Sequence, residues 1–235
     1  MKKLRVLLVI PAYNEEKSLG KLLSTLDEKF PLYDYVIIND CSKDNTKKIA
    51  EQHTERIIDL PINLGLSGAI KAGMLYAYQK NYDVCVQIDG DGQHLPEYIE
   101  PLIRELENGY DIVIGSRFLD GKKEYQQTLF RKIGASWLQF IAKLQSGLVL
   151  TDPTSGMRAY NKKVYEQIIM DMNAKPEPDT IVMFARNGYK VKEVPVVMQE
   201  RFAGKSHLGG IFSSMRYMIH TTIAILLNPR RKIGK

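Results

Sequence analysis

Apolar and polar residues along the chain follow two rhythms. Residues 4–10 are nearly continuously apolar and β-rich, whereas residues 15–30 place Leu19, Leu22, Leu23 and Leu26 three and four apart, the spacing of one helix face. The pair repeats down the first half. Strands are predicted over 35–38, 56–60, 84–88 and 111–115, and helices over 68–80 and 96–107, the latter with Pro96 in its first turn. Ser42 or Asp44 is the predicted cap of another helix, running to about Gln52. Such alternation predicts an α/β fold, a mostly parallel Rossmann-like sheet with helices on both faces.

Beyond Leu119 the alternation weakens. Residues 128–145, 162–172 and 179–187 read as helices, 148–160 as irregular or extended, and 190–197 as a strand. Residues 201–207 form a polar loop of small residues, and 212–227 a final amphipathic helix. Neither an internal repeat nor a linker interrupts the chain. The expected organisation is one domain over 1–210, with 211–235 as a helix and basic tail that belongs to it or makes a membrane or dimer contact.

Composition sharpens this picture in three places. A length of 235 residues at 44% hydrophobic content suffices for one core. Cys41 and Cys85 lie far apart and lack metal spacing, which argues against a disulfide framework and for a reducing, cytoplasmic setting. The stretch 217–227, broken by His220, Thr221 and Thr222, falls short of the ~20 residues that span a bilayer, and the apolar run after Met1-Lys2-Lys3 is too short for a leader. The net charge of +6, concentrated partly in Arg230, Arg231, Lys232 and Lys235, points to a polyanionic partner. No nucleic-acid module is present, so a membrane surface or phosphorylated substrates account for it better.

Ligands of open α/β sheets bind beyond the carboxyl ends of the strands. There the polar clusters 11–15, 39–42, 89–93 and 116–117 all converge. Asp89 and Asp91, separated by Gly90, concentrate negative charge on a sharp bend, and Gln93 adds a neutral oxygen. Hard divalent cations bind such oxygen sets, Mg2+ in particular with one or two carboxylates plus substrate phosphates. Asp-Gly pairs also form ordinary turns, and spacing alone does not separate the two readings.

The motifs Pro11-Ala12-Tyr13-Asn14-Glu15, Asn39-Asp40-Cys41-Ser42-Lys43-Asp44-Asn45-Thr46, Asn63-Leu64-Gly65 and Asp89-Gly90-Asp91, in that order, resemble the family-2 glycosyltransferases of the GT-A fold. Two later segments, Asp152-Pro153-Thr154-Ser155-Gly156-Met157-Arg158 and Arg201-Phe202-Ala203-Gly204-Lys205-Ser206, resemble the polyprenyl-phosphate sugar synthase branch. The resemblance spans roughly residues 4–207. It implies an inverting transfer of a hexose from a nucleotide diphosphate sugar to a polyprenyl phosphate, with Mg2+ or Mn2+ on Asp89, Asp91 and Gln93. Pro11, Ala12, Tyr13 and Glu15 would line the base and ribose, and Asp40 would accept from the nucleobase. Asn63, Gly68, Lys71, Asp89 and Gly90 would complete the nucleotide side. Arg117, Arg131, Arg201 and Lys205 would meet donor or acceptor phosphates, and Ser155 and Arg158 the acceptor. For Lys71 and Arg131 a solvated helix face is the other reading.

Asn39 and Ser67 depart from the Asp and Lys of many relatives. Asp179 sits near where many family-2 enzymes place a base, as a hydroxyl acceptor on a lipid-linked or cell-surface glycan would need, but a first-turn aspartate also suits a helix start. The last helix, with Ile211, Phe212, Met215, Met218, Ile219, Ile223, Ile225 and Leu226 ahead of its basic tail, fits an interfacial helix at the cytoplasmic face of a membrane, core packing, or a homo-oligomer contact.

Overall fold

The computed structural model describes residues 4–120, 129–199 and 211–227. Among them one sheet contains β1 (Val6–Ala12), β2 (Asp34–Asn39), β3 (Ile57–Asp59), β4 (Val84–Gln87), β5 (Ile112–Ser116), β6 (Arg158–Asn161) and β7 (Val191–Pro195), in the order β3-β2-β1-β4-β6-β5-β7. All neighbours are parallel except β6, which runs antiparallel to β4 and β5. The expected GT-A type sheet is therefore present, with one reversed strand at its centre.

The helices are α1 (Leu19–Lys29), α2 (Thr46–Glu51), α3 (Gly65–Gln79), α4 (Ile99–Glu107), α5 (Leu129–Ser146), α6 (Lys162–Met170), α7 (Pro178–Arg186) and α8 (Ile211–Leu227). Pro96–Tyr98 forms a 3-10 turn ahead of α4 rather than part of one continuous helix. All of β1 is buried because both sheet faces are covered. On one face Leu8 and Ile10 pack with Leu19, Leu23, Ile99 and Leu102; on the other Leu7 and Val9 pack with Ile70, Met74, Tyr165 and Ile168. Burial of each such side chain is worth roughly 1.5–3 kcal/mol. Gly73 lets α3 approach β1 closely, since a Cβ there would lie 2.2 Å from Val9 Cγ1.

Three local differences from the sequence reading have identifiable causes. α1 begins at Leu19, not Glu15, because Asn14 is left-handed (φ 56°) and residues 15–18 form a turn in which Ser18 and Leu19 donate to the Glu15 carbonyl. α3 begins three residues before Gly68, where Asp40 Oδ1 accepts from the Leu64 amide at 2.7 Å and stops its end. β6 falls inside the stretch read as irregular or extended.

The last helices make a smaller cluster in which Ile225 of α8 meets Leu138, Ile141, Ala142 and Val182 of α5 and α7. The outer faces of α5 and α8 stay apolar: Trp137, Phe140 and Leu144 on one, Ile219, Ile223 and Leu226 on the other, all roughly half exposed or more. Trp137 Nε1 donates to Thr222 Oγ1 at 3.1 Å, so the two stripes lie side by side. No helix of the described residues is long and apolar enough to cross a membrane.

Candidate functional site

The loops after β1 and β2 are stitched into one unit. The Asn14 amide donates to Ser42 Oγ (3.0 Å) and Asn14 Oδ1 accepts from the Lys43 amide (2.8 Å). The Glu15 amide donates to Thr46 Oγ1 (2.7 Å), while Glu16 carries Asn45. Ser42 thus serves the neighbouring loop rather than capping α2. Asp44 accepts from the amides of Thr46 and Glu16; burial pushes its carboxyl up, but these bonds and the Thr46 hydroxyl hold it below the usual range. Cys41 is also left-handed (φ 61°), like Asn14 in the loop stitched to its own. Paired non-glycine residues in that region mark a site whose shape is over-determined by its surroundings.

Pro11, Ala12 and Asp40 are buried here, and Tyr13 and Glu15 half-buried, at the ends of β1 and β2. Asn63 Nδ2 donates to the Asp40 carbonyl, which ties the Asn63-Leu64-Gly65 motif to the same corner. Gly68 lies one turn into α3. Lys71 turns elsewhere: its ammonium donates to the carbonyls of Asp171 (2.6 Å) and Ala174 (3.1 Å), and burial lowers its pKa. In this arrangement Lys71 holds the segment between α6 and α7.

Gly90 abuts the first loop, its amide donating to the Pro11 carbonyl. Gly92 takes φ 76°, a turn that glycine makes without steric cost, and this bends the chain so that Asp91 Oδ1 accepts from the Gln93 amide at 3.0 Å. Asp91 is buried while Asp89 keeps about a fifth of its side chain exposed. The Asp89 amide donates to Nδ1 of buried His94, so a neutral His94 ring carries its proton on Nε2, which faces Asp89 Oδ2 at 3.8 Å. Gln87 Nε2 donates to Asp89 Oδ1 at 3.3 Å. Gly156 completes the cradle, for a Cβ there would sit 3.0 Å from Asp89 Oδ2. Gln93 Nε2 bonds the Gln199 carbonyl, which orients its amide.

Two carboxylates and an amide oxygen suit a hard divalent cation that completes its shell with substrate oxygens. No set of three or more His, Cys, Asp or Glu able to hold a metal occurs among the described residues, and no Lys or Arg among them forms an ion pair with Asp89. The donor set fits that partial cage.

Opposite lies the segment before β6. Arg117 grips Asp152 with a two-toothed fork, Nε to Oδ2 at 2.6 Å and Nη2 to Oδ1 at 2.8 Å, and Nη2 reaches Thr154 Oγ1. Ser155 is buried, its Oγ accepting from the Met157 amide. Arg158, expected at the acceptor, is only 4% exposed and spends Nη1 and Nη2 on the carbonyls of Pro176 (2.7 Å) and Pro153 (3.0 Å). It braces two loops from beneath, because β6 directs it inward beside Gln87. Its Nε and Gln87 Oε1 have no hydrogen-bond partner among the described residues.

Asp179 stands in the first turn of α7, its pKa raised by burial and then by Glu177, whose own carboxylate accepts from Ser67 Oγ at 2.7 Å. Arg131 falls in α5 with its side chain outside the described residues, as are Arg201 and Lys205 entirely. Asp152, His94 and Glu177 are additions that the sequence reading gave no role. Asp152 stood inside a quoted motif and His94 one residue beyond the 89–93 cluster, and buried polar identity beside a motif carboxylate was the available signal.

A model of Glycosyl transferase family 2 matches residues 7–169. An undecaprenyl-phosphate mannosyltransferase of Micrococcus luteus is 34% identical over 217 residues, 88% of each chain. A UDP-N-acetylglucosamine--dolichyl-phosphate N-acetylglucosaminyltransferase of Methanococcus voltae is 32% identical, covering 81% of this chain and 84% of its own. Among solved structures, glucosyl-3-phosphoglycerate synthase of Mycobacterium tuberculosis with Mn2+, UDP and phosphoglyceric acid superposes with a TM-score of 0.72 at 20% identity, over 99% of this chain and 82% of its own. That last likeness speaks for the fold.

Proposed function

Since the chain belongs to glycosyl transferase family 2 and is a glycosyltransferase of the polyprenyl-phosphate sugar synthase branch, we propose that it moves a hexose from a nucleotide diphosphate sugar to a polyprenyl phosphate with inversion. One observation supports this reading: Asp89, Asp91 and Gln93, the Asp152–Arg117 fork and the stitched loops of β1 and β2 stand at one edge of the sheet, with Gly156 of the segment before β6 set against Asp89.

In this reading the nucleoside lies against Pro11, Ala12, Tyr13 and Glu15, with Asp40 as the acceptor for the base; Asn63, Gly68 and Gly90 shape the pocket, while Lys71 acts from behind. Asp89, Asp91 and Gln93 would hold Mg2+ or Mn2+, which would supply positive charge against the diphosphate. Arg117 offers further positive charge to the phosphates, joined by Arg131, Arg201 and Lys205; Ser155 and Arg158 shape the acceptor side. A phosphate oxygen of the acceptor attacks the anomeric carbon as the bond to the diphosphate breaks. That oxygen is already a nucleophile near neutral pH, with a second phosphate pKa of about 6, so no proton need be removed.

The adjoining apolar stripes of α5 and α8 suit a surface resting on the cytoplasmic leaflet, where a polyprenyl chain is anchored. A hydroxyl acceptor on a lipid-linked glycan is the second reading. The raised pKa of Asp179 favours it, since such a carboxylate is the stronger base.

The test is incubation with a panel of nucleotide sugars, Mg2+ or Mn2+, and polyprenyl phosphate together with a lipid-linked glycan, followed by mass analysis of the lipids. A lipid-phosphate sugar is expected. Donor turnover that yields only glycosylated hydroxyls would overturn the first reading in favour of the second.

A further inference from the structure

We propose that Glu193 is a positioning residue for Arg117; this rests on the reading that Arg117 serves the reacting phosphates. Glu193 points inward from β7 and is buried. Its Oε2 accepts from the Thr151 amide (2.7 Å) and hydroxyl (2.9 Å), and its Oε1 from the Asp152 amide (2.8 Å). Both oxygens are thus committed to two consecutive residues of the segment that ends in β6. Thr151 is held from two further sides, by Ser116 Oγ at 2.6 Å and by Gln139 Nε2 of α5 on its carbonyl at 2.8 Å.

Asp152 is 1% exposed, and its carboxylate receives the Arg117 fork together with the Arg117 amide at 3.2 Å. Fixing Asp152 therefore fixes the plane of the guanidinium. The cluster holds two buried carboxylates and one guanidinium, and among the described residues Glu193 forms no ion pair. Its charge is met by amide and hydroxyl donors alone. A carboxylate supplies acceptors for three donors at once, which an amide side chain cannot. The order is Glu193 to the Thr151-Asp152 backbone, Asp152 to Arg117, and Arg117 to the reacting phosphates; Glu193 touches no reacting atom.

A double-mutant cycle tests this through kcat and donor KM. Arg117→Ala is expected to lower kcat about 100-fold, as when one donor to a developing anion is lost. Glu193→Ala is expected to lower it about 10-fold or more with donor KM little changed, since a misplacement of about 1 Å can cost 100-fold. In the Arg117→Ala background the same change should cost almost nothing. Glu193→Gln, which keeps volume and one carbonyl oxygen, should show the same coupling at smaller amplitude, and it replaces the alanine variant if that one fails to fold. Additive losses would overturn the positioning role while leaving the Arg117 reading intact. Full activity of Arg117→Ala would instead overturn the reading beneath it.

Discussion

The donor half of the sheet edge and the acceptor half are built on different principles. In the first, residues 4–93, polar side chains are held by neighbouring loops: Asn14 on Ser42 and Lys43, Glu16 on Asn45, Asp40 on Leu64. In the second, buried charged side chains do the holding: Arg117 on the Asp152 carboxylate, Glu193 on the amides of Thr151 and Asp152, and Arg158 on the carbonyls of Pro153 and Pro176. Among the described residues the second half also leaves two adjoining apolar helix stripes exposed. The first half is set by hydrogen bonds between neighbouring loops, whereas the second sets buried charged side chains beside an apolar surface, an arrangement suited to the proposed acceptor, which carries its anion on a lipid.

The largest expected effect breaks the donor half. Asp89→Asn or Asp91→Asn should cut transfer by about 100- to 1000-fold, on the order of 3–4 kcal/mol in activation free energy, because one charge of the cation's cradle is gone. Thermal unfolding should hardly move, since the metal-free carboxylates repel one another. Rates near those of the parent in both variants would remove the metal assignment.

Arg158→Met attacks the acceptor half from below. It leaves the carbonyls of Pro153 and Pro176 buried without their donors, and each orphan costs about 1–3 kcal/mol. Urea denaturation should show a loss of roughly 2–4 kcal/mol. A stable variant with impaired acceptor KM would instead return Arg158 to direct contact with the acceptor.

Smaller still is the effect of placing a charge on the apolar stripes. Phe140→Glu, at 57% exposure, should leave the fold intact and weaken sedimentation with anionic vesicles several-fold. Unchanged sedimentation would show that these stripes do not meet lipid.

What could be read from the sequence divides along the same line. β1 to β5 and the helices between them follow from continuous apolar runs and three-four spacing, and the motif residues of the donor half fall where strand ends predict. β6 escaped because Arg-Ala-Tyr-Asn has no apolar run of its own; it exists only through pairing with β4 and β5, both distant in sequence. Glu193 escaped because a lone glutamate in a predicted strand reads as solvent-facing, and its burial comes from residues 151–152 closing over it. Lys71 lies in a donor motif region, yet the carbonyls offered by the segment after α6 claim it. Local pattern carries no information about such partners.

The smallest effect bears on Asp179 and on which acceptor the second half serves. Burial, then repulsion from Glu177, raises its pKa above the ordinary 3.8, so the folded chain binds this proton more tightly than the unfolded one. Stability contributed by that proton is full below pH 3.8 and is lost as pH rises through the folded pKa, which leaves a net cost at neutral pH. Asp179→Asn should therefore raise the melting temperature at pH 7, by about 2–4 °C per kcal/mol relieved, and the gain should fade as pH falls through the same window. Near-normal transfer to a lipid phosphate alongside that gain would mark Asp179 as a buried first-turn residue of α7. Loss of transfer with the gain retained would mark it as a base kept at a cost to stability, and would move the acceptor from phosphate to hydroxyl.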